Sequence, residues 1–283
     1  KSKFPLQVGP MTGICTMSMV SFAAVASGIS FPLAHQTTMG WRGSLLFWIL
    51  LSIIGILVWI PHLKSQVNPT DERITKERVT EALRSPLAWK VTLYMGLQSL
   101  TFYVSDTWLA QILHDLGMTL ASAGYMLSLM QLVSIPVSLF IPILAGKRKS
   151  QSGFASLAAF LYLSGFVGIL FFGSTFVVLW VVLIGLGNGA SISMALLLFS
   201  LRASNAEQVA TLSGMAQSIG YLLAAVGPPL FGYLYDITNE WTIPLLLLMK
   251  TCTAQFIIGI GAGRNVTIST QIQIKNQSYT RHF

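Results

Sequence analysis

The sequence predicts an all-α fold: a polytopic membrane helix bundle with eight transmembrane helices. Three observations lead there. Apolar residues fill 53% of the 283 positions and charged residues only 9%. Soluble domains are roughly a quarter charged, so this chain lacks the polar surface that water demands. Its apolar residues gather in runs long enough to cross a bilayer core, which takes about 20 residues of helix, and the few charges lie mostly between those runs.

In chain order the runs fall near 8–34, 42–61, 89–113, 120–145, 153–173, 176–201, 208–234 and 242–262. Gly28, Pro32, Pro136, Pro142, Gly185, Gly187, Gly189, Pro228 and Pro229 sit inside them. Such residues weaken helices in water but are tolerated where neighbouring membrane helices supply packing and hydrogen bonds. The three alternating glycines of the sixth run mark close packing or a bending point. Pro228-Pro229 after Gly227 is expected to break the seventh helix near its end. Cys15 and Cys252 both fall in apolar runs and are expected as free thiols, small hydrophobes rather than a disulfide.

The net charge of +8 comes from 17 Lys and Arg against 9 Asp and Glu. The cations occupy alternate loops: Lys64, Arg73, Lys76, Arg78 and Arg84 after the second run, Lys147-Arg148-Lys149 after the fourth, Arg202 after the sixth, and Arg264, Lys275 and Arg281 after the last. Of the intervening loops, only one carries a cation, Arg42. This asymmetry predicts a multi-pass protein of the inner (cytoplasmic) membrane with both ends of the chain cytoplasmic. It also reads the basic balance as topology, so no nucleic-acid partner is expected. Residues 62–88 form the one shift in composition, with a short charged helix expected over 71–79, and the polar tail 265–283 is expected to be unstructured.

The first run resembles the seventh. Aligning Gly13 with Gly214 pairs Val8 with Val209 and Ala23-Ala24-Val25 with Ala224-Ala225-Val226, and a Trp follows each at a similar distance (Trp41, Trp241). The two are six helices apart and share an orientation. A parallel six-helix repeat is the architecture of the major facilitator superfamily, with two six-helix halves. In that frame 1–61 holds the last two helices of the N-terminal bundle, 62–88 the central cytoplasmic loop, 89–264 the C-terminal six-helix bundle and 265–283 a cytoplasmic tail. The eight helices are then part of a twelve-helix fold, and the expectation is a fragment lacking about the first four.

Within that superfamily the chain resembles the cyanate and 2-nitroimidazole transporter subfamily. The likeness rests on Val8-Gly9-Pro10-Met11-Thr12-Gly13, on Gly40-Trp41-Arg42-Gly43, on Met95 to Tyr103 with Trp108-Leu109, and on Ser213-Gly214-Met215-Ala216-Gln217-Ser218-Ile219-Gly220-Tyr221. What the resemblance implies is secondary active transport of a small solute by alternating access, with membrane lipid, a small-molecule solute and protons as partners. Lys147-Arg148-Lys149 behind Gly146 is similar to a Gly-led basic stretch of that superfamily.

Polar residues inside apolar helices are the candidates for solute binding, because each is costly in lipid without a partner. In the third run Ser99, Tyr103 and Asp106 share one helical stripe and Gln98 the next. Gln98, Tyr103 and Asp106 are taken as candidates, with Asn188 from the sixth run and Gln217 and Tyr221 from the seventh. Asp106 is also the candidate for proton coupling, and Lys250 in the last run is a conceivable partner for it. No catalytic residue, metal site or cofactor is expected: the four histidines lack ligand spacing and there is no phosphate-binding Gly-Lys loop. Two other readings stay open on the residues, a non-functional remnant of such a permease and a membrane-anchored scaffold or enzyme.

Overall fold

The computed structural model describes residues 7–36, 40–63 and 79–268. Eight long helices run through them: α1 (Val8–Gln36), α2 (Trp41–Leu63), α3 (Pro86–Asp115), α4 (Leu120–Gly146), α5 (Ser152–Phe172), α6 (Val177–Arg202), α7 (Ala206–Thr238) and α8 (Thr242–Ala262). No strand occurs among the described residues. The charged helix expected over 71–79 lies, but for Val79, outside them, as does most of the tail.

Seven of these helices are long and apolar enough to cross a membrane. The one that departs from the expected eight is α3, which is long enough but carries Lys90, Gln98, Asp106 and a series of hydroxyls. Many of its polar side chains turn inward: Thr92, Gln98, Ser99, Thr101 and Ser105 are all buried. The helix starts sharply, with the Ser85 hydroxyl accepting from the Ala88 N–H and Pro86 in the first turn, where a missing N–H costs nothing.

Packing divides the chain into two compact units, Lys1–Val20 with Arg78–Phe283, and Ser21–Glu77. The start of α1 packs with the later helices of the larger unit. The cause is local. Gly9 and Gly13 lie against α4 so closely that a Cβ on either would come 2.6 Å from the carbonyl oxygen of Pro142 or Leu139. Small residues four apart let two backbones approach in this way, and in lipid that contact supplies attraction the hydrophobic effect does not.

In the larger unit α3 is central, packed on α4, α6, α7 and α8, while α5 packs on α6 and α8. Two apolar clusters bracket its length. One holds Ile112, Leu113, Phe166, Ile169, Trp241 and Leu245. The other holds Leu87, Val91, Met194, Leu198 and Leu212. The alternating glycines of α6 are packing devices: a Cβ at Gly185 would stand 2.6 Å from the Met130 oxygen of α4, and one at Gly187 would stand 3.0 Å from the Ala158 oxygen of α5.

The expected break at Pro228-Pro229 does not occur. α7 continues through both prolines to Thr238, and the indole N–H of Trp108 donates to the Pro228 carbonyl at 2.9 Å. Membrane helices carry internal prolines because neighbours hold the interrupted segment in place.

At the end that carries the basic turn, Arg202 is buried. Its Nε donates to the Ala262 carbonyl at 2.8 Å and its Nη2 to the Gly263 carbonyl at 3.0 Å and to Oε1 of Gln151. One guanidinium thus ties α6 to α8 and to the α4–α5 turn. The smaller unit holds the rest of α1 and α2, whose residues 49–61 are exposed on every side. An all-round apolar helix of this kind suits a non-aqueous environment.

Candidate solute-binding face

The polar residues of α3 sort onto two stripes. Tyr94, Gln98, Thr101 and Ser105, spaced i, i+4, i+7 and i+11, all point into the unit. Tyr103 and Asp106 point out of it, and Tyr103 is 42% exposed in the middle of an otherwise apolar bundle. Ser99 does not join them as its spacing suggested: it is buried, and its Oγ accepts from Nε2 of Gln98 at 2.7 Å.

Around Tyr103 and Asp106 the structure gathers three more side chains. Nε2 of Gln131 on α4 donates to Oδ1 of Asp106 at 2.8 Å. Tyr221 on α7 meets Tyr103 edge to face, with ring centroids 6.5 Å apart and planes at 67°. Gln217 lies one turn before Tyr221 on α7, with its Nε2 donating to the Ser213 hydroxyl at 2.7 Å. A carboxylate, two amides and two phenols therefore stand on a face formed by α3, α4 and α7. Such a set offers donors, acceptors and aromatic edges to a small polar molecule.

Two of the six candidates stand elsewhere. Gln98 is buried with Oε1 unpartnered among the described residues. Asn188 is buried on α6, where its Oδ1 accepts from the Tyr162 hydroxyl of α5 at 3.2 Å. Asp106 pairs with Gln131 rather than with Lys250, which is exposed on α8.

Sequence reasoning missed Gln131 and Gln255. The second is fully buried on α8 and donates to the Ser191 hydroxyl of α6 at 2.9 Å. Each is the lone amide of its helix, and a lone amide in a long apolar run was the available signal. Among the described residues no cluster of three His, Cys, Asp or Glu could hold a metal ion.

The fold and this face define a polytopic membrane helix bundle with a polar surface formed by α3, α4 and α7. The model of the Major Facilitator Superfamily matches residues 4–228, and the chain belongs to that superfamily of transporters. It is 45% identical over 266 residues, 94% of its length, to the uncharacterized transporter YycB of Bacillus subtilis (strain 168), of which it covers 66%. It is 38% identical over 268 residues to the 2-nitroimidazole transporter of Escherichia coli (strain K12), covering 95% of this chain and 68% of that one. To the cyanate transport protein CynX of the same organism it is 23% identical over 241 residues, 85% of this chain and 62% of the relative. The chain thus spans about two thirds of the length of these relatives.

Proposed function

We propose that this chain works as a secondary active permease that moves a small solute across the cytoplasmic membrane by alternating access. In this reading α3 is the eighth span, held in the membrane although its composition falls short, because its polar stripes face protein and solute. The basic end is cytoplasmic, as the distribution of Lys and Arg implies.

The observation that carries the proposal is the exposed face of Tyr103, Asp106, Gln131, Gln217 and Tyr221. An ionisable group inside a membrane helix marks a solute or proton path, and here it sits beside two phenols and two amides. The same group suits a flat, polar, uncharged solute that stacks on the phenols and hydrogen-bonds to the carboxyl. The 2-nitroimidazole named for one relative has that character; cyanate, named for another, is a smaller, anionic alternative that would require the Asp106 carboxyl to be protonated. Gln98 and Asn188 then act from behind the face, as buried hydrogen-bonding groups. Asp106 is the residue assigned to proton coupling.

The test is uptake of labelled 2-nitroimidazole and cyanate into proteoliposomes under an imposed pH gradient. Gradient-driven uptake that Asp106→Asn abolishes, with insertion unchanged, supports the reading. Uptake that survives Asp106→Asn at full rate removes that carboxyl from coupling. Uptake of neither solute returns the substrate to unknown.

A further inference from the structure

Between α4, α5 and α6 runs an apolar groove of about 200 Å³. Its walls are Pro136, Val137, Phe140 and Ile141 of α4, Phe154, Leu157, Ala158 and Leu161 of α5, and Leu186 and Ala190 of α6. From Phe154 to Leu161 it follows α5 for about 10 Å. None of the residues on the solute-binding face lines it.

The two helices that flank this groove are joined by the turn Lys147-Arg148-Lys149, and all three cations are exposed. No ion pair engages any of them among the described residues. The backbone of the turn is fixed from beneath. Nε2 of Gln151 donates to the Arg148 carbonyl at 2.6 Å and to the Ala145 carbonyl at 3.2 Å, and the Gln151 N–H donates to the Gly263 carbonyl at 2.8 Å. With its side chain spent there, Gln151 does not cap α5. The first N–H of that helix, at Ser152, donates to the Ser150 hydroxyl at 3.4 Å, and Gly263 packs against it.

We propose that this groove and turn form a binding site for one anionic phospholipid, an acyl chain lying in the groove and the phosphate held by Lys147, Arg148 and Lys149. Charge complementarity selects the occupant. An apolar groove alone accepts any acyl chain, but three exposed cations on the turn that joins α4 to α5 favour a headgroup with net negative charge. Each cation near a membrane surface contributes roughly fivefold in affinity for such lipid.

The experiment is native mass spectrometry of the purified chain released from detergent, titrated in parallel with phosphatidylglycerol and phosphatidylcholine. One tightly retained phosphatidylglycerol, with phosphatidylcholine retained at least about fivefold less, is expected. Replacing all three cations by Gln should erase the preference, and Leu157→Trp, which fills the groove from its exposed side, should weaken retention of both lipids. Phosphatidylglycerol with a photoreactive acyl chain should label the segment 154–161. Excess inorganic phosphate should leave the lipid bound, and displacement by it would mean a phosphate site and overturn the lipid reading. Equal retention of the two lipids, a preference that survives the triple Gln variant, or labelling confined to other helices would each overturn it as well.

Discussion

Thr16 of α1 gives its hydroxyl hydrogen to the Ser138 carbonyl of α4 at 2.8 Å. Ser138 stands four residues before Pro142, which has no N–H to offer that carbonyl, so a side chain from another helix takes the place of the missing helical donor. The pair is buried and lies in the stretch where Gly9 and Gly13 bring the two backbones together. Thr16→Val, which keeps the shape and deletes the hydroxyl, should destabilise the folded chain by about 1 kcal/mol, in the range of a membrane hydrogen bond. Thr16→Ser should cost less. Unfolding in mixed micelles with increasing dodecyl sulfate measures both.

The glycines of α6 make a sharper prediction, because they abut backbone rather than a movable side chain. At Gly185 an added methyl would collide with the Met130 carbonyl, so Gly185→Ala must push α4 and α6 apart and should cost about 1–3 kcal/mol. Gly214 on α7 faces open space. Gly214→Ala should be neutral or should stabilise by about 0.5–1 kcal/mol through helix propensity. Equal losses at the two positions in the same micelle assay would show that helix crossing distance is not what fixes Gly185.

The helices were legible because lipid imposes one rule on every residue of a span, and that rule is written in composition. Even α3 was found, since its polar residues are few enough to leave a recognisable run. The partners of polar residues were not legible. Similar depth made Lys250 a conceivable partner for Asp106, but depth says nothing about azimuth, and Gln131 on α4 holds the carboxylate instead. Ser99 was placed with Tyr103 and Asp106 by ideal spacing. The helix buries Ser99 and exposes the other two, since α3 is surrounded on most sides and the burial boundary falls between them. Pro228-Pro229 misled for a different reason: a proline pair stops a helix in water, whereas neighbouring helices hold an interrupted segment in place within a membrane bundle.

Asp115, just beyond the expected end of the third span, ties three elements at the opposite end of the unit from the basic turn. Its carboxylate accepts from the Trp241 indole at 2.7 Å, from the Tyr235 hydroxyl at 3.1 Å and from Gln111 at 2.8 Å, and Tyr235 and Trp241 stack with centroids 4.3 Å apart. Slight burial pushes this carboxyl up, but those three donors, with attraction from His114, outweigh it and hold the carboxyl below its ordinary value of 3.8. A depressed value means that the clasp stabilises the fold above the ordinary carboxylate range and is lost as the pH falls through the lowered one. Acidification below about pH 4 should therefore change Trp241 fluorescence and loosen this end of the unit. Asp115→Asn should show the loosened state already at neutral pH and should not change further on acidification. An unchanged acid transition in Asp115→Asn would assign it to another group.

The last prediction concerns Arg202, because its charge is buried and its partners are chiefly main-chain carbonyls. A guanidinium can satisfy several acceptors at fixed angles, and here it bonds the Ala262 and Gly263 carbonyls and the Gln151 amide oxygen. Lysine carries the same charge at a single nitrogen and cannot span that arc. Arg202→Lys should lose about 1–3 kcal/mol by leaving buried acceptors unmet. Arg202→Met also removes the cost of burying a charge, so it should be no worse than Lys and is expected to be milder. Gln151→Ala removes one acceptor together with the hold on the Arg148 carbonyl, and its effect should be strongly non-additive with Arg202→Met, because both act through the same contact. Dodecyl sulfate unfolding of the two single variants and the double variant gives the coupling directly. Full additivity would mean that the α4–α5 turn and the α6–α8 junction are held independently, and that the buried guanidinium does not join them.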